Sequence, residues 1–196
     1  MDRATLEFYE LRGEEWAASH PLHTQSPQLD AFLDLLGPGA SILELGCGDG
    51  RDAEHMTARG FDVHPSDGSP GMASLASRRL GREVPVMRFA ELEGVAQFDA
   101  VWCQAALLHA PESDLPCILA RIHRALRPGG RHWASFKDGE RGGRDAFGRF
   151  FSYLPAERVE AAYREAGPWA QFEVTSGDGT SFGGAPTRWH NVLARK

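Results

Sequence analysis

Apolar residues along the chain fall into two rhythms, a helical one of period near 3.6 and a set of short unbroken runs. Leu6, Phe8, Tyr9, Leu11 and Trp16 lie mainly toward one side of a helix over 2–18. Leu29, Phe32, Leu33 and Leu36 supply the apolar face of a second helix. Ser26-Pro27 opens that helix as cap and first turn, and Gly37-Pro38-Gly39 ends it. An apolar run over 41–45 reads as the first strand, and 51–59 as a helix stopped by Gly60. A second strand covers 61–64, where Pro65 cannot donate to a ladder and is expected to end it early. A helix then runs to about residue 80, and strands three and four are read over 84–89 and 98–103.

Leu115, Ile118, Leu119, Ile122 and Leu126 mark a long amphipathic helix over 112–126. Arg127-Pro128-Gly129-Gly130 is a strong turn before a fifth strand over 131–136. A glycine-studded loop follows over 137–149, then a helix over 155–166 stopped by Gly167-Pro168. Two last strands, about 169–175 and 187–194, should pair as a hairpin. Because strands alternate with helices up to residue 166, the expected fold is α/β and doubly wound. Its sheet should be mostly parallel and seven-stranded, with a C-terminal antiparallel hairpin and helices on both faces.

Composition narrows the classes further. The chain of 196 residues is 42% hydrophobic and 24% charged, as a soluble single domain would be. A formal net charge of −6 argues against a nucleic-acid partner, whose binding surfaces are usually basic. No apolar run approaches the roughly 20 residues that span a bilayer, so no membrane partner is expected. Residues 1–15 are charged and helical rather than signal-like, which makes a cytoplasmic location the expectation. Cys47, Cys103 and Cys117 form no C-x-x-C pair, and the 8 histidines make no ligand pattern, so no metal is expected.

The first strand runs into Glu44-Leu45-Gly46-Cys47-Gly48-Asp49-Gly50, where glycines serve either a close approach of the backbone to a ligand or a glycine turn with no ligand. A dinucleotide fingerprint needs Gly-x-Gly-x-x-Gly, and here the third glycine comes one residue early. A phosphate-binding loop closes on Gly-Lys-Ser/Thr, and this one has no lysine. Glu44 would repel a phosphate and welcome an ammonium group. Asp67, about twenty residues beyond the loop, can accept from ribose hydroxyls or serve as a turn or capping residue.

With these residues in place, the segment resembles the first motif of class I S-adenosylmethionine-dependent methyltransferases. Asp67-Gly68-Ser69-Pro70-Gly71-Met72 is similar to the family's D-x-S-x-x-M, and residues 98–109 to its fourth motif. Within the superfamily the chain looks most like small bacterial enzymes related to the tellurite-resistance methyltransferase. The resemblance implies a single domain over 1–196, with a helical cap (1–38) on a Rossmann-like core (39–196).

It also implies S-adenosyl-L-methionine as cofactor, held by Glu44, Gly46, Cys47, Gly48, Gly50, Asp67, Gly68, Met72, Glu91, Cys103, Gln104 and Ala105. Glu91 could equally be a solvated loop residue. His109 should face the methyl group, as general base or as pocket wall. Tyr9, Trp16, His109 and Trp189 would line the acceptor pocket, Tyr9 and Trp16 having an alternative as core residues. Lys137, Arg144 and Arg149 could clamp an anionic acceptor from a mobile lid, or form a solvated, internally paired loop. The implied partner is a small-molecule methyl acceptor, and the expected assembly is a monomer or homodimer. A nicotinamide dehydrogenase is disfavoured by the glycine spacing and Glu44. A non-catalytic module binding S-adenosylmethionine or S-adenosylhomocysteine stays open.

Overall fold

The computed structural model describes residues 2–18, 27–181 and 184–196. Ser26, expected to cap the second helix, lies outside them. The helices are α1 (Arg3–Ala18), α2 (Pro27–Leu33), α3 (Arg51–Ala58), α4 (Pro70–Leu80), α5 (Leu115–Ala125) and α6 (Ala156–Ala166). The strands are β1 (Ser41–Leu45), β2 (Asp62–Ser66), β3 (Phe98–Cys103), β4 (Leu126–Lys137), β5 (Gly143–Arg144), β6 (Phe150–Phe151), β7 (Gln171–Thr180) and β8 (Pro186–Arg195).

Among the described residues the main sheet has six strands, in the order β2-β1-β3-β4-β8-β7, and β5-β6 form a separate ribbon. Seven strands were expected, and the missing one is the third, over 84–89. There the chain makes only a bridge between Val86 and Asp67, and Phe89–Glu91 turns into a 3-10 helix. Pro85 offers no donor and Val86 is 52% exposed, so neither pairing nor burial favours extending the ladder. The expected early end of β2 is also corrected. Pro65 stays in register opposite Glu44, and Ser66 opposite Leu45. It is tolerated because β2 is the edge strand, where a missing donor faces no neighbour. The hairpin forms as expected but runs longer, and β8 is the one strand antiparallel to β4.

Both faces of the sheet are covered. Leu43, Leu45, Val101 and Cys103 pack with Leu115, Leu119 and Ile122 of α5 and Val159 and Tyr163 of α6. Ile42, Ala100 and Trp102 face Phe32 of α2 and Ala53 and Met56 of α3. Burial on both faces explains why β1 and β3 read as apolar runs rather than alternating strands. The Leu, Ile, Val, Phe and Met side chains among these contribute about 1.5–3 kcal/mol each when fully buried. From β1 the chain goes to β2 on one side and reaches β3 on the other, which opens a crevice at the carboxyl ends of β1 and β3.

Candidate functional site

The crevice is floored by the glycine loop. Gly46, Gly48 and Gly50 take φ of 77°, 58° and 81°. At Gly46 an added Cβ would lie 2.6 Å from the Ala106 Cβ, so the loop after β3 presses directly on the loop after β1. At Gly48 it would meet the Trp16 ring at 3.4 Å. Asp67 ties the second strand into the same place. Its Oδ2 accepts from the Gly48 N–H at 2.9 Å and its Oδ1 from the Ser69 N–H at 2.8 Å. Burial pushes the Asp67 carboxyl up to about 6, against those two hydrogen bonds.

Glu44 shares the face of Ile42 and reaches under the start of α3, where the Ala53 N–H donates to it. Burial, reinforced by Asp52, Asp67 and Asp49, drives its carboxyl well above the usual range. Its Oε2 is buried with no partner among the described residues. Asp52 accepts from the Trp102 indole N–H at 2.8 Å, and Asp49 pairs with Arg79 at 2.9 Å. Four carboxyl groups therefore surround the loop. That environment suits a cationic ligand and opposes a pyrophosphate. The orphaned Oε2 and the three positions where a side chain would be strained fit a cofactor with an ammonium end.

The other expected cofactor residues are placed unevenly. Cys47, Met72 and Cys103 are buried, Gly68 and Ala105 half-buried, and Gln104 exposed. Ala105 takes a φ of 47° and its N–H donates to the Ser135 hydroxyl at 2.8 Å. Met72 lies between the loop and α1, its Sδ 3.0 Å from where a Gly13 Cβ would stand. Glu91 is exposed and accepts from the Arg88 N–H at 2.7 Å, the role of a helix cap.

At the other end of the crevice, Tyr9 of α1 meets His109, which sits in a 3-10 turn after β3. Their Oη and Nε2 lie 3.0 Å apart. His109 Nδ1 is 2.7 Å from the Phe150 carbonyl, which can only accept, so Nδ1 carries the proton and Nε2 accepts from Tyr9. Arg149 Nη1 donates to the Tyr9 oxygen at 3.2 Å. Burial holds His109 down to about 3, helped by Arg149 and Lys137, and pushes the Tyr9 hydroxyl up to about 12. Tyr9 also meets Trp16 edge-on at 6.1 Å.

The basic cluster is divided. Lys137 and Arg149 are both buried and flank the Phe151 ring, 4.0 Å and 5.1 Å from its centroid. Trp189 lies beside Lys137, 5.5 Å from its ammonium to the ring centroid. Arg144 stands apart: it is exposed, donating to the Gly148 carbonyl at 2.7 Å and pairing with Asp2 at 3.3 Å. Of the three residues expected to clamp an anion, the structure brings Lys137 and Arg149 together and sets Arg144 apart. Sequence reasoning also missed Phe151, whose ring lies 4.5 Å from His109, and Thr5, whose hydroxyl accepts from the Phe150 N–H at 2.8 Å. Their only signal was the aromatic pair Phe150-Phe151 closing a glycine-rich loop. Among the described residues no group of His, Cys, Asp and Glu could hold a metal ion, and no helix is long and apolar enough to cross a membrane.

Comparison with known proteins bears on the fold. The chain has the α/β Rossmann-like methyltransferase fold, and residues 42–130 match the family model described as a methyltransferase domain. Among curated relatives, the ubiquinone biosynthesis O-methyltransferase of Pseudomonas aeruginosa is 30% identical over 151 residues, 69% of this chain. The chain spans 63% of that relative's length. Among solved structures, Burkholderia thailandensis 1,6-didemethyltoxoflavin-N1-methyltransferase, with 1,6-didemethyltoxoflavin and S-adenosylhomocysteine bound, superimposes with a TM-score of 0.71. It is 23% identical, covering 100% of this chain and 92% of that one. The [4+2]-cyclase SpnF has the same fold at a TM-score of 0.70 and 19% identity, covering 97% of this chain and 94% of that one.

Proposed function

We propose that the chain is an S-adenosylmethionine-dependent methyltransferase acting on a small-molecule acceptor. The observation that carries this reading is the glycine loop ringed by Glu44, Asp49, Asp52 and Asp67, a cradle for a cationic cofactor rather than a dinucleotide. The match over 42–130 and the neighbour with S-adenosylhomocysteine bound support it. The narrower likeness to tellurite-resistance methyltransferases rests on the sequence motifs alone.

Bound in this cradle, S-adenosylmethionine supplies a methyl group already activated by its sulfonium. The chain's task is then to align an acceptor and keep water away. Asp67 would accept from the ribose hydroxyls, and the backbone of 46–50 would seat the amino-acid end. α1 closes the crevice with Trp16 over Gly48 and Tyr9 over His109. An acceptor proton can pass to the Tyr9 oxygen as the Tyr9 proton passes to His109 Nε2. That transfer makes His109 an imidazolium, which burial disfavours, so the ring holds the proton only while the methyl moves and returns it through Tyr9 to solvent once the product leaves.

A second reading stays open beside it, because the fold also occurs in a protein named as a cyclase rather than a methyltransferase: a site that binds S-adenosylmethionine or S-adenosylhomocysteine without transferring a methyl group. Titration with S-adenosylhomocysteine and with NADH, followed by radiolabelled methyl transfer to a panel of small acceptors, separates the readings. S-Adenosylhomocysteine binding with transfer supports the proposal. NADH binding alone would refute it, and cofactor binding without any transfer would favour the second reading.

A further inference from the structure

We propose that the acceptor carries an anionic oxygen group, a carboxylate or a phosphate, which docks between Lys137 and Arg149 against the Phe151 ring. The proposal rests on the methyl-transfer reading above and adds the substrate class to it.

Lys137 ends β4, so the sheet delivers its side chain to the same rim as the glycine loop. It is only 6% exposed, yet its ammonium makes no hydrogen bond or ion pair among the described residues. What it faces are the Phe151 and Trp189 rings. Ring faces return part of the hydration that a buried ammonium loses, but they supply no acceptor for its three N–H groups. Arg149, 3% exposed, lies over the same ring.

Among the described residues one carboxylate is near, and it is already occupied. Asp145 Oδ2 accepts from Arg149 Nε at 2.9 Å and from Nη2 at 2.7 Å. Its Oδ1 accepts from the backbone N–H groups of Phe147 and Arg149, each at 3.0 Å. Asp138, next to Lys137 in sequence, is bound to His190 at 3.0 Å. Among the described residues two cations thus meet one neutralising carboxylate, leaving an excess positive charge in an aromatic-lined place. The cofactor end of the same crevice has the opposite sign. A ligand with an anion at the Lys137 end would satisfy both ends.

The position also couples charge to chemistry. Arg149 donates to Tyr9, and both Arg149 and Lys137 push His109 toward its neutral form. An anion between them screens that push, so an acceptor bearing one would ease proton transfer to His109 on arrival. Arg144, turned to Asp2 and Gly148, takes no part.

Benzoate, phenyl phosphate and neutral methyl benzoate are suitable probes, because they share a ring and differ in the anion. Binding is measured by calorimetry or ligand-observed NMR on the full chain saturated with S-adenosylhomocysteine, whose own affinity is measured first. We expect at least one anion to bind about tenfold or more tightly than methyl benzoate. Lys137→Gln should abolish that preference, Lys137→Arg should restore it, and Arg144→Gln should leave it intact. Which anion gains more distinguishes a carboxylate acceptor from a phosphate one. Losing a buried cation that lacks a hydrogen-bond partner should not lower the melting temperature, so Lys137→Gln remains folded and interpretable. A chain that binds S-adenosylhomocysteine but shows no anion preference, or an equal one in Lys137→Gln, would overturn this proposal alone. Failure to bind S-adenosylhomocysteine would overturn the reading beneath it.

Discussion

At the scale of single residues, the site turns on which groups hold protons. His109 is legible in the sequence as a histidine after the fourth predicted strand. Its bond to Tyr9, a hundred positions away, is not. That bond changes the expected pH behaviour. A solvated histidine would lose its basic form between pH 7 and 6, whereas His109 is held neutral down to about 3. The turnover rate should therefore stay flat across pH 6–7. His109→Ala and Tyr9→Phe should each lower kcat by about 10²-fold, and the double variant by little more, because one hydrogen bond joins the two groups. Additive losses in steady-state kinetics would show that they act separately. Asp67 supplies the pH dependence instead. Its carboxyl is pushed up to about 6, so it is ionised above that value and gains a proton below it, losing acceptor capacity toward the ribose. Affinity for S-adenosylhomocysteine should fall between pH 7 and 5, and calorimetry on Asp67→Asn should show that dependence gone.

At the scale of elements, α1 is the part whose role the sequence leaves open. Tyr9 and Trp16 read equally well as core or as pocket, and the structure sets Tyr9 against His109 and Trp16 against Gly48 on a helix kinked at Arg12. What lets α1 lie so close is Gly71 in the first turn of α4. A Cβ there would stand 2.9 Å from the Glu10 Cα and 3.1 Å from the Glu10 carbonyl oxygen, both backbone atoms that cannot swing aside. Alanine gains at most about 1 kcal/mol of helix propensity over glycine. Overpacking costs about 1–3 kcal/mol, so the steric term wins. Gly71→Ala should leave circular dichroism native while displacing α1, lowering kcat by more than any loss of melting temperature implies. An unchanged kcat would mean that α1 does not need this seat during turnover.

At the scale of the whole molecule, the elements that the sequence specifies locally were the readable ones. The glycine loop needs three residues of positive φ in a row of alternate positions, and only glycine offers that cheaply. The expected third strand failed because Val84 to Phe89 has strand composition but only an edge beside it, and pairing is a property of the neighbour. Phe151 and the split of Arg144 from Lys137 and Arg149 depend on where a ribbon folds back, which no local pattern records. The same holds for His132, which sequence alone would leave unremarked. It is wholly buried in β4, its Nδ1 3.1 Å from the Val101 carbonyl and its Nε2 unpartnered, and burial holds it down to about 4. Its folded value lies below the unfolded value of about 6.5, so the unfolded chain takes up the proton first. The stability it permits is complete above about 6.5 and is lost as pH falls toward 4. At pH 5 that loss is about 2 kcal/mol from this one group. His109 adds a loss of the same sign, while Asp67 and Glu44, with raised values, give the opposite sign and lose stability as pH rises. The net curve is therefore uninformative, and the single-site difference is the measurement to make. Urea unfolding of wild type and His132→Leu at pH 7 and pH 5 should show the variant losing less stability on acidification, by about 2 kcal/mol. Parallel losses in the two proteins would show that His132 is already protonated, or reached by water, in the folded state.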